Sequence, residues 1–276
     1  MKATGILLFA ILFIGMNVHA QKIYIRGGLG AAVSTAASYY SDYTINTGTS
    51  NSYTTTSKKE GVGTGLPFVI AAGFNLSEHF SVELGVDYFY GFTSKQNFLT
   101  YTGSSSDAKW HGQMLSLVPA LVMSFPLEKF KPYARLGCKV GILNSYVVSQ
   151  HSVNDYPLEK STSAFVVDSK SKVYGGVAIG AQAAVGTDFA LSDLVSLFAE
   201  VQLDGISFAP KHGKYTEYSV NGIDKMSSRT VNDNEWNYLK EVDHSKNLTS
   251  DQPKEYDKVN IQFGNVGLLI GVKINL

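Results

Sequence analysis

From Phe80 to Phe92 every even position is apolar or aromatic, and the odd positions are Ser81, Glu83, Gly85, Asp87, Phe89 and Gly91. A period of two marks a β-strand with two unlike faces. The run is longer than the roughly 9–11 residues that a tilted strand needs to cross a bilayer. Phe80 stands at one end of its apolar face and Tyr88, Tyr90 and Phe92 at the other, where interfacial aromatics belong.

Seven further segments carry the same signature. They run over about 22–33, 66–74, 113–125, 132–143, 173–188, 197–208 and 259–276. Ile23, Ile25, Leu29 and Val33 share a face in the first, opposite Tyr24 and Arg26. Val266, Leu268, Ile270, Val272, Ile274 and Leu276 share one in the last. Pro119 lies inside the 113–125 run, and a proline cannot donate to a ladder, so a bulge or kink is expected there. The connections alternate in length. Those near 75–79, 126–131 and 189–195 are short, whereas 34–65, 93–109, 144–172 and 209–258 are long and rich in Ser, Thr, Tyr, Asn and Lys. Short turns at one end and long loops at the other are the asymmetry of an up-and-down transmembrane barrel. The expected fold is therefore all-β: a closed antiparallel barrel of eight strands. A hairpin hidden around Tyr215 to Val220 would raise the count to ten.

If the apolar faces meet lipid, the opposite faces line the interior. That set contains Arg26, Arg135, Lys139 and Lys273, and Glu83, Asp87, Glu200 and Asp204. An Arg or Lys on the lipid face at mid-bilayer costs roughly 2–4 kcal/mol, so inward placement is favoured. The equal numbers of each sign predict a lumen closed by ion pairs, since unpaired charges are costly once buried. An eight-stranded barrel is just wide enough for side chains to fill. Gly85, Gly137, Gly180 and Gly271 occupy inward positions and are expected to make room for the larger groups. A soluble barrel of lipocalin type is the competing fold. It would turn the charged faces to solvent and would not need such long aromatic-ended bands.

Composition changes this picture little. Net charge is +0 and charged residues are 17% of the chain, below the roughly 25% of soluble domains. No basic stripe suggests a nucleic-acid partner. The amino terminus is more telling. Lys2 precedes an apolar run from Ile6 to Val18, and Val18-His19-Ala20 resembles a signal-peptidase site. Residues 1–20 are thus expected to be a cleaved signal peptide, with a barrel domain from Gln21 to Leu276. The single cysteine, Cys138, falls at a lipid-facing position and reads as a small hydrophobe.

The runs Lys131-Pro132-Tyr133-Ala134-Arg135-Leu136-Gly137, Leu197-Phe198-Ala199-Glu200-Val201 and the closing segment from Gly267 to Leu276 resemble the outer-membrane β-barrel domain family, the small OmpA/OmpX-like and porin-family barrels of Gram-negative bacteria. The resemblance implies an integral outer-membrane protein without enzymatic activity or cofactor. It also implies partnership with outer-membrane lipid, and with the barrel-assembly machinery through the last strand. That strand ends in Leu276 where many members have Phe.

Candidate chemistry is sparse. His79-Phe80-Ser81 echoes the His-x-Ser arrangement of lipid A deacylases but sits at a short turn without an orienting acid. No His, Cys, Asp and Glu cluster has zinc spacing. Tyr-rich loops containing Trp236 suit binding of an unidentified surface ligand. The leading expectation is a structural or surface-interaction barrel with a plugged lumen. A passive-diffusion channel comes second and a lipid-modifying enzyme third.

Overall fold

The structure is a computed structural model, and it describes residues 23–35, 38–47, 51–101, 104–125, 127, 129–154, 165–245 and 247–276. The expected signal peptide, residues 1–20, lies outside them. In chain order the strands are β1 (Ile23–Ser34), β2 (Ser38–Thr47), β3 (Asn51–Glu60), β4 (Gly65–Asn75), β5 (Phe80–Gly91), β6 (Ser94–Tyr101), β7 (Ser104–Ser124), β8 (Phe130–Asn154) and β9 (Phe165–Tyr174). They continue with β10 (Ala178–Ala190), β11 (Val195–Phe208), β12 (His212–Val220), β13 (Ile223–Asp224), β14 (Glu235–Leu239), β15 (Lys254–Asp257), β16 (Ile261–Gln262) and β17 (Asn265–Asn275).

Eight of these close a ring of antiparallel pairs in the order β1, β4, β5, β7, β8, β10, β11, β17 and back to β1. Closure removes every free edge from the ring. The period-two sequences explain the result. Each strand lays its apolar set outward, and Ile70, Leu84, Leu136, Ile179, Val185, Leu268 and Ile270 are all exposed. Phe80, Phe125, Phe130 and Phe189 rim this belt at the short-turn end, and Phe68, Tyr88, Tyr90 and Phe92 rim it at the other. Cys138 is also exposed on the outer face.

Among the described residues the long connections carry strands of their own, which the sequence reading did not place. β7 and β8 run 21 and 25 residues, twice the length of the belt, and remain paired with each other above it. β6 pairs with upper β7, β9 with upper β8, and β12 with β9, so the wall continues beyond the ring. β12 and β13 form a hairpin tip in the 215–224 region, but β12 joins β9 rather than the ring, so the ten-strand alternative is excluded. Val173 belongs to β9, not to the start of the sixth ring strand, which begins at Ala178. The last predicted strand is broken between β16 and β17. At the break the Phe263 ring turns inward, and the Phe263 backbone N–H donates to the Ile206 carbonyl at 3.0 Å.

Pro119 interrupts bridging to β8 without shifting register. Leu117 pairs with Val140 and Ala120 with Gly137. The bulge lies instead at Leu115/Ser116, where β8 carries one extra residue, and Ile142 and Leu143 both face outward.

The inward glycines divide into two kinds. A Cβ on Gly271 would lie 2.2 Å from the Gly27 carbonyl oxygen and 2.5 Å from the Phe198 ring. A Cβ on Gly85 would meet nothing closer than 3.5 Å. Gly271→Ala is therefore expected to cost about 1–3 kcal/mol in urea unfolding from vesicles, as overpacking does. Gly85→Ala is expected to be tolerated within about 0.5 kcal/mol.

Candidate functional site

The ring interior holds a connected group of buried side chains. Arg26 on β1 and Arg135 on β8 approach Glu200 on β11 from two sides. Arg26 Nη1 lies 2.9 Å from Glu200 Oε2, and Arg135 Nη2 lies 2.7 Å from Glu200 Oε1. The Tyr133 hydroxyl donates to Glu200 Oε2 at 2.8 Å. Glu83 on β5 completes this layer, with its Oε2 3.3 Å from Arg26 Nε and its Oε1 accepting from the Tyr24 hydroxyl at 2.7 Å. The Phe198 ring stacks beneath the Arg26 guanidinium, 5.1 Å from its carbon.

One layer towards the loop end, Lys139 on β8 sits between two aspartates. Its Nζ is 2.7 Å from Asp204 Oδ2 and 3.2 Å from Asp87 Oδ2. Gln182 and Gln202 tie the layers together. Arg135 donates to both amide oxygens, while the Gln182 amide donates to Asp87 and the Gln202 amide to Asp204. Charge-assisted hydrogen bonds of this kind are the strong ones. Strand alternation puts each charge inside, and the ladder registers set their height. Gln182 is opposite both Gly137 and Asp204, for example.

Seven of the eight charges singled out from the sequence thus meet in two layers. The eighth, Lys273, stands nearer the short-turn end. It pairs with Asp188 at 2.7 Å and lies 4.1 Å from the Tyr24 ring centroid. Sequence reasoning missed Asp188, Gln182, Gln202 and Tyr133. Asp188 and both glutamines lie on the inward face of their strands, so alternation was a usable signal once amides were counted with charges.

It also missed the apolar cap. Above Lys139 the interior is packed by Phe89, Met114, Ile206, Phe208 and Phe263, with Trp110, Val62 and Ala178. Phe89 and Phe208 both meet Phe263 edge to face, at 6.3 and 6.5 Å. Gly112 admits this ring, since a Cβ there would lie 2.6 Å from it. Above the cap, a cavity of about 300 Å³ opens at the loop end and is lined by Trp110, Tyr146, Val173, Trp236, Tyr238 and Ile261. Burial raises the Tyr238 phenol above the ordinary tyrosine range.

The catalytic candidate does not assemble. The His79 ring nitrogen contacts the Ser124 carbonyl at 3.1 Å, and the Ser81 hydroxyl donates to Asn75 at 2.7 Å inside the barrel. His151 meets Asp168 at 2.5 Å on the outer wall, where both are exposed. Among the described residues no group of three or more His, Cys, Asp and Glu is arranged to hold a metal.

A closed antiparallel ring with an apolar outside, aromatic rims and a charged inside is a membrane barrel turned as lipid requires. The chain has the architecture of the small outer-membrane barrels. It matches no family model and no curated protein. Among solved structures it is similar to the crystal structure of Neisserial surface protein A (NspA), at 14% identity over 94% of this chain and 99% of that one, with a TM-score of 0.35. It is also similar to that of Ail, the attachment invasion locus protein of Yersinia pestis, at 9% identity over 93% and 97%, with a TM-score of 0.34. The fold assignment rests on the closed ladder itself.

Proposed function

We propose that this protein is an integral outer-membrane barrel with a plugged lumen, acting as a structural or surface-interaction component rather than as an enzyme. The observation that carries the reading is the placement of Glu200 between Arg26 and Arg135, with Lys139 between Asp87 and Asp204 one layer above. Each charge has its counter-charge within the protein, so a permeating ion would have to break these pairs. The aromatic cap closes the same path a second time.

The belt supports the location. Only an environment without water makes a continuous exposed apolar surface favourable, and a closed ring is the sheet form that leaves no backbone group unsatisfied there. The last strand turns Leu268, Ile270, Val272, Ile274 and Leu276 outward, the pattern offered to assembly machinery. Surface interaction belongs to the aromatic cavity at the loop end, where a rigid wall presents Trp236 and Tyr238.

Planar-bilayer recording tests the plug. The folded protein is expected to give no reproducible conductance steps. Steps that scale with protein added would overturn the closed-lumen reading in favour of a diffusion channel.

A further inference from the structure

The outer wall carries an unbalanced charge just beyond the belt. Lys214 on β12 stands directly opposite Lys172 on β9. Both side chains are exposed, and neither has an ion pair among the described residues. Like charges directly opposite each other across a ladder are destabilising. One step further from the belt, by contrast, Lys170 is given Glu217 at 3.1 Å.

Beneath the two lysines is a cleft of about 640 Å³. Its belt-side wall is Leu115, Ile142 and Leu143, and its upper rim is Tyr174, Lys172 and Lys214. Three local features open it. The bulge opposite Leu115/Ser116 turns two adjacent apolar residues outward instead of one. β8 leaves β10 at Gly141 and takes up β9 from Ser145. The chain between β9 and β10 turns through Gly175 and Gly176, whose φ angles of 75° and 83° favour glycine. The volume is of ligand-pocket size.

We propose that this cleft binds a phosphorylated glycolipid of the outer leaflet. One acyl chain lies along Leu115, Ile142 and Leu143, and a phosphate monoester lies between Lys172 and Lys214. The assignment rests on the outer-membrane reading above. Charge complementarity selects the headgroup. A phosphate monoester carries about −1.5 to −2 at neutral pH, which matches two ammonium groups. The phosphodiester of a glycerophospholipid carries a single charge and leaves one lysine unmatched. Height selects a lipid over a free anion, because the lysines stand directly over an apolar wall that free phosphate would not use.

Native mass spectrometry of the folded full-length chain tests this with three probes: a glycolipid bearing phosphate monoesters, the same glycolipid after dephosphorylation, and phosphatidylglycerol. The phosphorylated glycolipid is expected to be retained at least about tenfold better than the other two. Each charge-assisted hydrogen bond is worth about a factor of ten, so the double variant Lys172→Ala/Lys214→Ala is expected to lose retention by about a hundredfold. Lys172→Arg/Lys214→Arg is expected to keep it, as is the exposed control Lys240→Ala. Equal retention of the dephosphorylated probe, or an unchanged double variant, would overturn the site. Equal retention of phosphatidylglycerol would overturn the choice of a monoester. The heat-dependent gel mobility of every variant reports folding. A chain that enters bilayers but shows no lipid preference overturns this assignment alone, whereas a chain that never enters bilayers overturns the membrane reading as well.

Discussion

Replacing Glu200 with alanine is expected to lower the unfolding free energy by about 3–5 kcal/mol, the cost of leaving buried charges without their partner. The size follows from how much converges on one carboxylate. Glu200 receives Arg26, Arg135 and Tyr133 within 2.9 Å, and its side chain is fully buried. After its removal two guanidiniums share only Glu83, which lies 3.3 Å from Arg26 and 4.0 Å from Arg135. Glu200→Gln preserves shape and one acceptor but not charge, and is expected to recover only a minor part of the loss. The charge-balanced double replacement Arg135→Met/Glu200→Leu is expected to recover most of it, because an ion pair exchanged for packed apolar groups is often neutral. Urea titration of the barrel in vesicles, followed by tryptophan fluorescence and by gel mobility without boiling, measures all three. A loss below about 1 kcal/mol for Glu200→Ala would mean that water reaches the network and that the lumen is not plugged there.

A charge placed on the outside of the ring is expected to act by depth. Val201 is outward on β11, with Leu268 and Val185 as its cross-strand neighbours in the middle of the belt. Val201→Arg is expected to cost roughly 2–4 kcal/mol in vesicles, whereas a charge near the interface costs about 0–1 kcal/mol. Ile223→Arg supplies the comparison. Ile223 is similarly exposed, at 61% against 47% for Val201, but it sits at the hairpin tip far beyond the belt. Its substitution is expected to change stability by less than about 0.5 kcal/mol. The contrast separates the two competing environments, because on a soluble barrel both arginines would point into water and cost equally little. Equal effects would therefore overturn the membrane assignment.

Much of the ring was legible in the chain because a strand has only two faces. Once Ile70, Leu84 and Leu268 are placed outside, Asp87, Glu83 and Lys273 have nowhere to go but in. Arg26, Arg135 and Glu200 were readable as one inward set for the same reason. Which of them would touch was not readable. Contact depends on the relative heights of β1, β5, β8 and β11, and those come from the ladder registers and from closure of the ring. The ion partner of Lys273 illustrates the gap. Asp188 is the residue within 2.7 Å, although the acids in mid-strand were equally available by sequence.

The extended wall above the belt was hidden for a different reason. Upper β7 and β8 and strands β9 and β12 are polar on one or both faces, so their apolar periodicity fades although their backbone pairing continues. Backbone hydrogen bonds leave no mark on a hydropathy pattern. Phe263 escaped notice because its inward turn depends on a break before β17 and on the space left by Gly112, two features joined only in the folded ring.

By itself, then, the sequence determined that the chain is a set of alternating strands, each with one apolar face and a charge-balanced set on the opposite faces. Period two gives a strand only two faces, so once one face meets lipid the other must line the interior. Only the tertiary structure decided which charges pair, that an aromatic cap lies above them, and that Lys172 and Lys214 share a cleft on the outer wall. Those facts depend on register, bulge position and ring closure, which relate residues distant in the chain.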